Sequence, residues 1–517
     1  MTTRLNSDML KEGDRITLNG HGYRLGEKIG GGLEGTVFNL ASSEDTQIDC
    51  SKFVVKIINS ANLSKDQYHT VYNRIRNLKH LGDTNKELRK RMSLPREIVG
   101  NDLGYVMKKM TGGESLKKYL DPFDQDFKEW YRDRYTLSNR YNLIAGIFDS
   151  LREIHISGLI FTDLSPNNIM VKTSPEGYTV FFIDTDNLRS RDDPYSGVLG
   201  TPGYMAPEIY RKDIPDKIGE YEQTREGTPV KNLLSRVGKI SVDSDIFSAA
   251  VIAFQLLTLH HPFVGDEIDS GTPEDEERAY RIETDYIFKE GTSNVSTAHL
   301  VPAFEQITTP EIRKLFRRTF VDGIREPSLR PTDQEFLDAF LSAKDNMTVC
   351  PDCGFTTIYS RSGMPCLGCD APLGPLPVLR ISQIFSNLSP EDVLSKKVPR
   401  REESEILAED RKCYLISKVV LTPGMEKKLH LRNFEQRRNR GEVVASVKFT
   451  SDGMVSMKLA SGRYPNASIV TIKTNRTKQF PESTQLFSAA GHAIRFEEYP
   501  DSDAVTYCRL EGEFTWE

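Results

Sequence analysis

The chain has 517 residues, 27% of them charged, and a formal net charge of −6. That length predicts about two to four domains, and the acidic balance gives no sign of a nucleic-acid-binding surface. The longest apolar stretch, Ala249 to Leu259, is broken by Gln255 and Thr258 and falls short of the ~20 residues that cross a bilayer.

Met1 to Gly13 is polar throughout, so no signal peptide is expected. The reading is a cytoplasmic protein with neither a nucleic-acid nor a membrane partner. No fixed-period repeat is evident.

From Tyr23 the pattern is strand-like around glycines. Gly30, Gly32 and Gly35 form G-x-G-x-x-G, with Val37 two places on. A glycine turn between strands lets backbone N–H groups approach phosphates with no Cβ in the way. A plain hairpin has the same pattern. A dinucleotide fold would need a helix directly after the glycines, but Thr36 to Leu40 reads as a strand. Phe53 to Ile58 is an apolar run interrupted by Lys56. A buried lysine needs an anion, whereas an edge-strand lysine reaches water. Its distance behind the glycine turn favours a phosphate ligand.

Residues 64 to 81 predict a helix with Val71, Ile75, Leu78 and Leu81 on one face. A glutamate to pair with Lys56 is sought on this helix, yet no Glu lies between Ile57 and Lys86. Asn73, Asn77 and Glu87 are the alternatives. Gly104 to Glu114 reads as a strand followed by an open connection. Met107 fits either the back of an adenine pocket or a core position.

Arg140 to Ile154 is an amphipathic helix. It leads to Phe161-Thr162-Asp163-Leu164-Ser165-Pro166-Asn167-Asn168. An Asp and an Asn at this spacing can accept a hydroxyl proton and hold a Mg²⁺ ion. A second strand, Tyr178 to Ile183, ends at Asp184-Thr185-Asp186, where Asp184 is the expected second Mg²⁺ ligand.

These stretches, followed by Gly200-Thr201-Pro202-Gly203-Tyr204-Met205-Ala206-Pro207-Glu208, come in the order of the eukaryotic-type protein kinase superfamily, which they resemble. The resemblance covers about residues 20 to 342. It implies an α+β, bilobal catalytic domain, with an N-lobe of about 20–110 and a C-lobe of about 111–342. It implies ATP, with Mg²⁺ (Mn²⁺ as an alternative), and a protein substrate carrying Ser or Thr.

The implied ATP-binding set is Ile29, Gly30, Gly31, Gly32, Gly35, Val37, Lys56, Met107, Lys108, Met110 and Glu114. Asp163 is the implied catalytic base, and Asn168 and Asp184 the implied magnesium ligands. Asp245 resembles the helix residue that anchors the catalytic loop, and Arg330 the partner of Glu208. The chain departs from the pattern at Phe161-Thr162 for His-Arg, at Ser165 for Lys, and at Asp184-Thr185-Asp186 for D-F-G. A nucleotide-binding pseudokinase scaffold that assembles partners is the alternative. A polar insertion is expected around Lys212 to Lys239, and the acidic stretch Asp266 to Arg278 reads as a solvated loop or a docking site for a basic partner.

Cys350, Cys353, Cys366 and Cys369 form C-x2-C-x12-C-x2-C. Two tight turns, each presenting two thiolates, suit tetrahedral Zn²⁺, and a structural zinc ribbon over 347–372 is expected. Two redox-active pairs are the competing reading. The combination with the kinase-like region most resembles bacterial serine/threonine kinase-like proteins of stress-response gene clusters.

Residues 373–410 read as a linker. Residues 411–517 hold strand-like runs at Tyr414–Leu421, Val443–Thr450, Met454–Leu459, Ser468–Lys473, Ala493–Phe496 and Ala504–Glu511. They predict a small C-terminal β-sandwich or barrel, expected to serve partner docking or regulation. The runs resemble a forkhead-associated domain without its phosphothreonine signatures, so no phosphopeptide binding is assigned.

Overall fold

The computed structural model describes residues 7–18, 21–32, 35–43, 49–61, 63–99, 103–120, 127–133, 135–174, 177–185, 188–190, 200–210, 240–385, 413–434, 442–450, 454–460, 467–471, 476–480, 485–488, 492–496 and 504–511. The insertion around Lys212 to Lys239, Asp186 and most of the expected linker lie outside these residues. The chain divides into two units. One comprises Met1–Phe127, Asn139–Phe304 and Pro310–Asp338; the other comprises Lys128–Ser138, Glu305–Thr309 and Ala339–Glu517.

The first unit opens with a six-stranded antiparallel sheet. Its strands are β1 (Arg15–Leu18), β2 (His21–Gly32), β3 (Gly35–Ser43), β4 (Phe53–Ile58), β5 (Glu97–Ile98) and β6 (Gly104–Lys108), in the order β1-β2-β3-β4-β6-β5. The sheet thus takes in a strand ahead of residue 20. β4 is apolar apart from Lys56 because both of its faces are covered. Val55 and Ile57 join Leu25, Phe38 and Val106 on one face. Val54 and Ile58 join Tyr105, Met107 and Ile75 on the other. Side chains alternate along a strand, so Lys56 shares the face of Val54 and Ile58.

Ile75 belongs to the helix Lys65–Thr84, which begins at a capping box in which Ser64 and Gln67 satisfy each other's backbone N–H groups.

Further along the first unit come β7 (Gly113–Ser115), β8 (Leu159–Ile160), β9 (Ile169–Ser174), β10 (Gly177–Phe182) and β11 (Arg189–Ser190). They form the sheets β10-β9-β7 and β11-β8. Two long helices accompany them, Leu137–Ile156 and Val242–Thr258. In the second of these, every residue from Ser244 to Thr258 except Gln255 is buried. That explains why its sequence is apolar all round instead of on one stripe. The stretch Asp266 to Arg278, expected as a loop, contains two short helices, Asp266–Asp269 and Pro273–Tyr280, the second capped by Thr272 and Asp275.

In the second unit, β12 (Met347–Val349) and β13 (Thr356–Ile358) form a hairpin beside the four cysteines. Ten further strands follow: β14 (Val378–Phe385), β15 (Cys413–Val420), β16 (Glu426–His430), β17 (Val443–Phe449), β18 (Met454–Leu459), β19 (Ser468–Thr471), β20 (Arg476–Gln479), β21 (Gln485–Ser488), β22 (His492–Phe496) and β23 (Ala504–Glu511). They form two sheets, β15-β14-β23-β22-β19-β20 and β16-β17-β18-β21.

One buried cluster draws on both sheets, with Leu379, Ile381, Val419 and Ile494 from the first and Leu429, Val447, Val455 and Met457 from the second. β14 corrects the linker expectation for Val378–Phe385. It lies in register between β15 and β23 and is a central strand of its sheet. Asp345 roots this unit. Its buried carboxylate takes Arg432 through two contacts and Asn433 Nδ2 at 2.7 Å, while Lys427 Nζ donates to the carbonyls of Asp345 and Val420 at 2.5 and 2.9 Å.

Candidate active site

The stretch Phe161 to Ser165 leaves β8 and reaches β9 through a short turn, Pro166–Asn168. Its backbone is held by Asp245. One carboxylate oxygen accepts the Phe161 N–H at 2.7 Å and the other accepts the Thr162 N–H at 3.0 Å. Thr162 has φ of 65° and Asp184 φ of 60°. A non-glycine residue there costs about 1–3 kcal/mol and persists only where its surroundings over-determine it. At Thr162 the two bonds to Asp245 do so.

Asp163 is the meeting point of two segments. Asn168 Nδ2 donates to its carbonyl at 2.8 Å and to its Oδ2 at 3.1 Å. Thr201 Oγ1 donates to its Oδ1 at 2.9 Å. With Nδ2 engaged on Asp163, the amide oxygen of Asn168 is the atom that could ligate a cation. The Ile183 N–H donates to the Asn168 carbonyl at 2.9 Å, which ties the segment carrying Asp184 to Asn168. Ser165 is fully buried.

Lys56 is ion-paired with Asp184. This corrects the three alternatives considered for its partner. Asn73 and Asn77 are exposed on their helix, and Glu87 pairs with Lys90 at 2.7 Å.

In the glycine turn, Gly30 pairs with Val37 and Gly31 with Thr36, while Leu33 and Glu34 lie outside the described residues. The two framing glycines have different reasons to be glycine. A Cβ on Gly35 would come within 2.4 Å of the Ile57 carbonyl oxygen, so strand packing excludes any side chain there. A Cβ on Gly30 would meet nothing within 4 Å. Protein packing does not require glycine at that position, which faces open space. Gly32 ends β2, Ile29 is 48% exposed, and Val37 lies opposite Lys56 in register.

Met107 is a core residue of the cluster around Ile75, next to the exposed Lys108 that ends β6. Met110 is half-buried, and the exposed Glu114 reaches Lys118 at 3.5 Å.

Glu208 and Arg330 form a two-point ion pair at 2.8 and 2.7 Å, and Ser244 Oγ donates to the same carboxylate at 2.9 Å. Arg330 also donates to the carbonyls of Asp243 and Gly323, at 2.9 and 3.0 Å. Burial pushes the Glu208 carboxyl up, but Arg330 outweighs it and holds the group below its ordinary range.

His155 was not legible as a functional residue. Its Nε2 meets Asp245 at 3.0 Å and its Nδ1 meets Asp333 at 2.8 Å. A lone histidine on the apolar face of a helix reads as core, and only the fold brings its two carboxylates together.

The cysteines form a separate centre in the second unit. All four Sγ atoms lie within 4.8 Å of one another. Cys350 and Cys369 are 3.8 Å apart, and Cys353 and Cys366 are 3.5 Å apart. Zn–S bonds of ~2.3 Å place tetrahedral sulfurs about 3.8 Å apart, so the cluster could hold Zn²⁺. The residue after each second cysteine, Gly354 and Asp370, has positive φ, at 76° and 59°. That turns the two pairs toward a common point. Phe355 stacks on Tyr131 with centroids 5.4 Å apart.

Asp163, Asn168 and Asp184 thus present oxygen donors, and Lys56 pairs with the last of them. The chain belongs to the protein kinase family, whose domain model matches residues 23–340. It is 26% identical over 194 residues to the calcium/calmodulin-dependent protein kinase cmkB of Emericella nidulans, covering 37% of this chain and 44% of that protein. It is 22% identical over 249 residues to myosin light chain kinase A of Dictyostelium discoideum, covering 48% of this chain and 70% of the relative. A bacterial relative, serine/threonine-protein kinase PknG of Mycobacterium leprae (strain TN), is 29% identical over 116 residues, covering 22% of this chain and 14% of that protein. The match thus spans under half the length of the first and a small part of the last.

Proposed function

We propose that this chain is an ATP-dependent serine/threonine protein kinase that transfers the γ-phosphate of ATP to a protein hydroxyl. The observation that carries this reading is the junction at Asp163, where one carboxylate oxygen takes a threonine hydroxyl and the other the amide of Asn168. An oxygen that accepts one aliphatic hydroxyl is suited to accept the proton of another. Asn168 and Asp184 offer oxygen ligands of the kind that suit Mg²⁺ or Mn²⁺. When bound, that ion would neutralise charge on the phosphates. Lys56 would hold the α- and β-phosphates.

The backbone from Ile29 to Val37, with Gly30, Gly31, Gly32 and Gly35, would cover the phosphates. Met107, Lys108, Met110 and Glu114 would border the base and ribose. Such a site works mainly by positioning and charge stabilisation. The Gly200–Tyr204 segment favours Ser and Thr acceptors by family resemblance.

The four thiols, close enough for one tetrahedral ion, support a structural Zn²⁺. Thiolate ligation also supports a reducing, cytoplasmic location. The two C-terminal sheets around one core support a β-sandwich for partner docking or regulation.

The second reading is a nucleotide-binding pseudokinase scaffold. The observation that favours it is the Lys56–Asp184 pair, because the two groups meant for phosphate and metal hold each other. Autophosphorylation and peptide phosphorylation with Mg·ATP, wild type beside Asp163→Asn, separate the two. Equal signal in both would exclude catalysis by this site.

A further inference from the structure

The loop that carries Asp163 is braced through a chain of side chains that ends on another helix. Asp333, in the first turn of the helix Asp333–Asp345, meets His155 Nδ1 at 2.8 Å. His155 Nε2 meets Asp245 Oδ2 at 3.0 Å. That same oxygen accepts the Phe161 N–H at 2.7 Å, and its twin accepts the Thr162 N–H at 3.0 Å. Both ring nitrogens face carboxylates. A neutral imidazole has one nitrogen lone pair and would set it against a carboxylate, so the geometry calls for two N–H donors.

We propose that Asp333 is a positioning residue for phosphotransfer. It keeps His155 in its doubly protonated form, and His155 in turn fixes Asp245 against the Phe161 and Thr162 amides that set the orientation of Asp163. This rests on the kinase reading above. Thr162 is the reason the brace matters, because its positive φ is sustained by a carboxylate that must itself be held still. Without Asp333, the Nδ1–H would lose its acceptor, and burial would favour a neutral ring.

The charged groups facing His155 are Asp333 from the helix Asp333–Asp345, and Asp245 and Asp243 from the helix Val242–Thr258. Burial pushes the imidazole down, but Asp245 and Asp333 outweigh it and hold its pKa at about 9, above the ordinary 6.5. A raised histidine pKa stabilises the fold fully below the ordinary value, and that contribution is lost as pH rises through about 9.

The test compares full-length wild type, Asp333→Ala, Asp333→Asn and the base variant Asp163→Asn. It measures kcat and KM for ATP across pH, together with hydrogen exchange at the Phe161 and Thr162 amides. Asp333→Ala should lower kcat roughly tenfold with KM for ATP within about twofold. It should also speed exchange at both amides and move the alkaline limb of kcat to lower pH.

Asp333→Asn keeps an oxygen for the Nδ1–H but no charge. It should recover amide protection while retaining the shifted limb. An Asp333→Ala enzyme with unchanged kcat, limb and exchange would overturn the proposal. Should that variant fail to fold, an unshifted limb in Asp333→Asn would overturn it instead. If wild type shows no transfer above Asp163→Asn, the kinase reading falls and takes this role with it. Transfer in wild type with a silent Asp333→Ala removes the Asp333 role alone.

Discussion

Lys56 and Asp184, 128 positions apart in sequence, form one ion pair in the fold. The lysine comes from the middle of β4, where only 6% of its side chain is exposed, and the aspartate follows β10. A buried ammonium needs an anion. Here a carboxylate fills that need, and in the proposed mechanism the phosphates of ATP would share it.

The first prediction concerns this pair. Lys56→Met keeps most of the apolar stem and removes the charge. The partner left behind, Asp184, has 34% of its side chain exposed and can be hydrated, so the melting temperature should hold within a few degrees. Nucleotide-dependent phosphotransfer should fall by roughly 10²-fold or more, because phosphate positioning is lost. A phosphotransfer assay and a melting curve on the same sample check both. Unchanged transfer would remove Lys56 from the mechanism.

Glu208 and Arg330 should behave in the opposite way. Removing one member of a buried pair strands the other, at a cost of about 3–5 kcal/mol. Arg330→Met should therefore melt far below wild type. The Glu208 carboxyl lies below its ordinary 4.5. Its contribution should be fully present above that value and lost as pH falls through the lower folded value. Denaturant titrations of wild type and Arg330→Met between neutral and acid pH should converge toward the acid end.

Thr201 bears on regulation. Its hydroxyl lies 2.9 Å from Asp163, so a phosphate there would set a dianion against a carboxylate. Thr162 also stands where the family's arginine would pair with a phosphate. Activity should therefore survive phosphatase treatment. Thr201→Ser should retain the contact and most of the activity, whereas Thr201→Glu should be strongly impaired. Ser190, exposed on β11, is the other described candidate site; Ser196 lies outside the described residues. Loss of activity on phosphatase treatment with ATP binding intact would contradict this view.

The cysteine centre should bind one Zn²⁺ per chain. Cys353→Ser or Cys366→Ser should release it and unfold residues 350–370, because a hairpin this small depends on its metal for folding energy. ATP affinity should be unchanged, since no cysteine of the cluster belongs to the nucleotide site. Metal analysis and nucleotide titration on one sample decide the matter. Joint loss of zinc and ATP binding would show that the ribbon braces the catalytic lobe.

The legible parts of this chain are those where chemistry restricts a position to one residue type. Gly35 was legible from the G-x-G-x-x-G spacing, although in the fold it is the Ile57 carbonyl that leaves room only for glycine. The cysteine spacing was equally readable, because two turns must present four sulfurs to one point. The partner of Lys56 was not readable, since the contact joins distant segments and the expected helix holds no glutamate.

His155 and Asp333 were missed for a related reason, because each looks ordinary alone and gains meaning only beside Asp245. β14 was read as linker because Pro372, Pro375 and Pro377 precede it, although Val378 to Phe385 is paired on both sides. β16 escaped notice because Glu426-Lys427-Lys428 gives little apolar alternation around its one fully buried residue, Leu429.

The most direct test of the account is single-turnover phosphotransfer with Mg·ATP by wild type and Asp163→Asn, each shown to bind ATP. The account predicts transfer to serine or threonine by wild type, a loss of at least about 10²-fold in the variant, and similar ATP affinity in both. Tight ATP binding with no Asp163-dependent transfer would contradict it and leave the scaffold reading in its place.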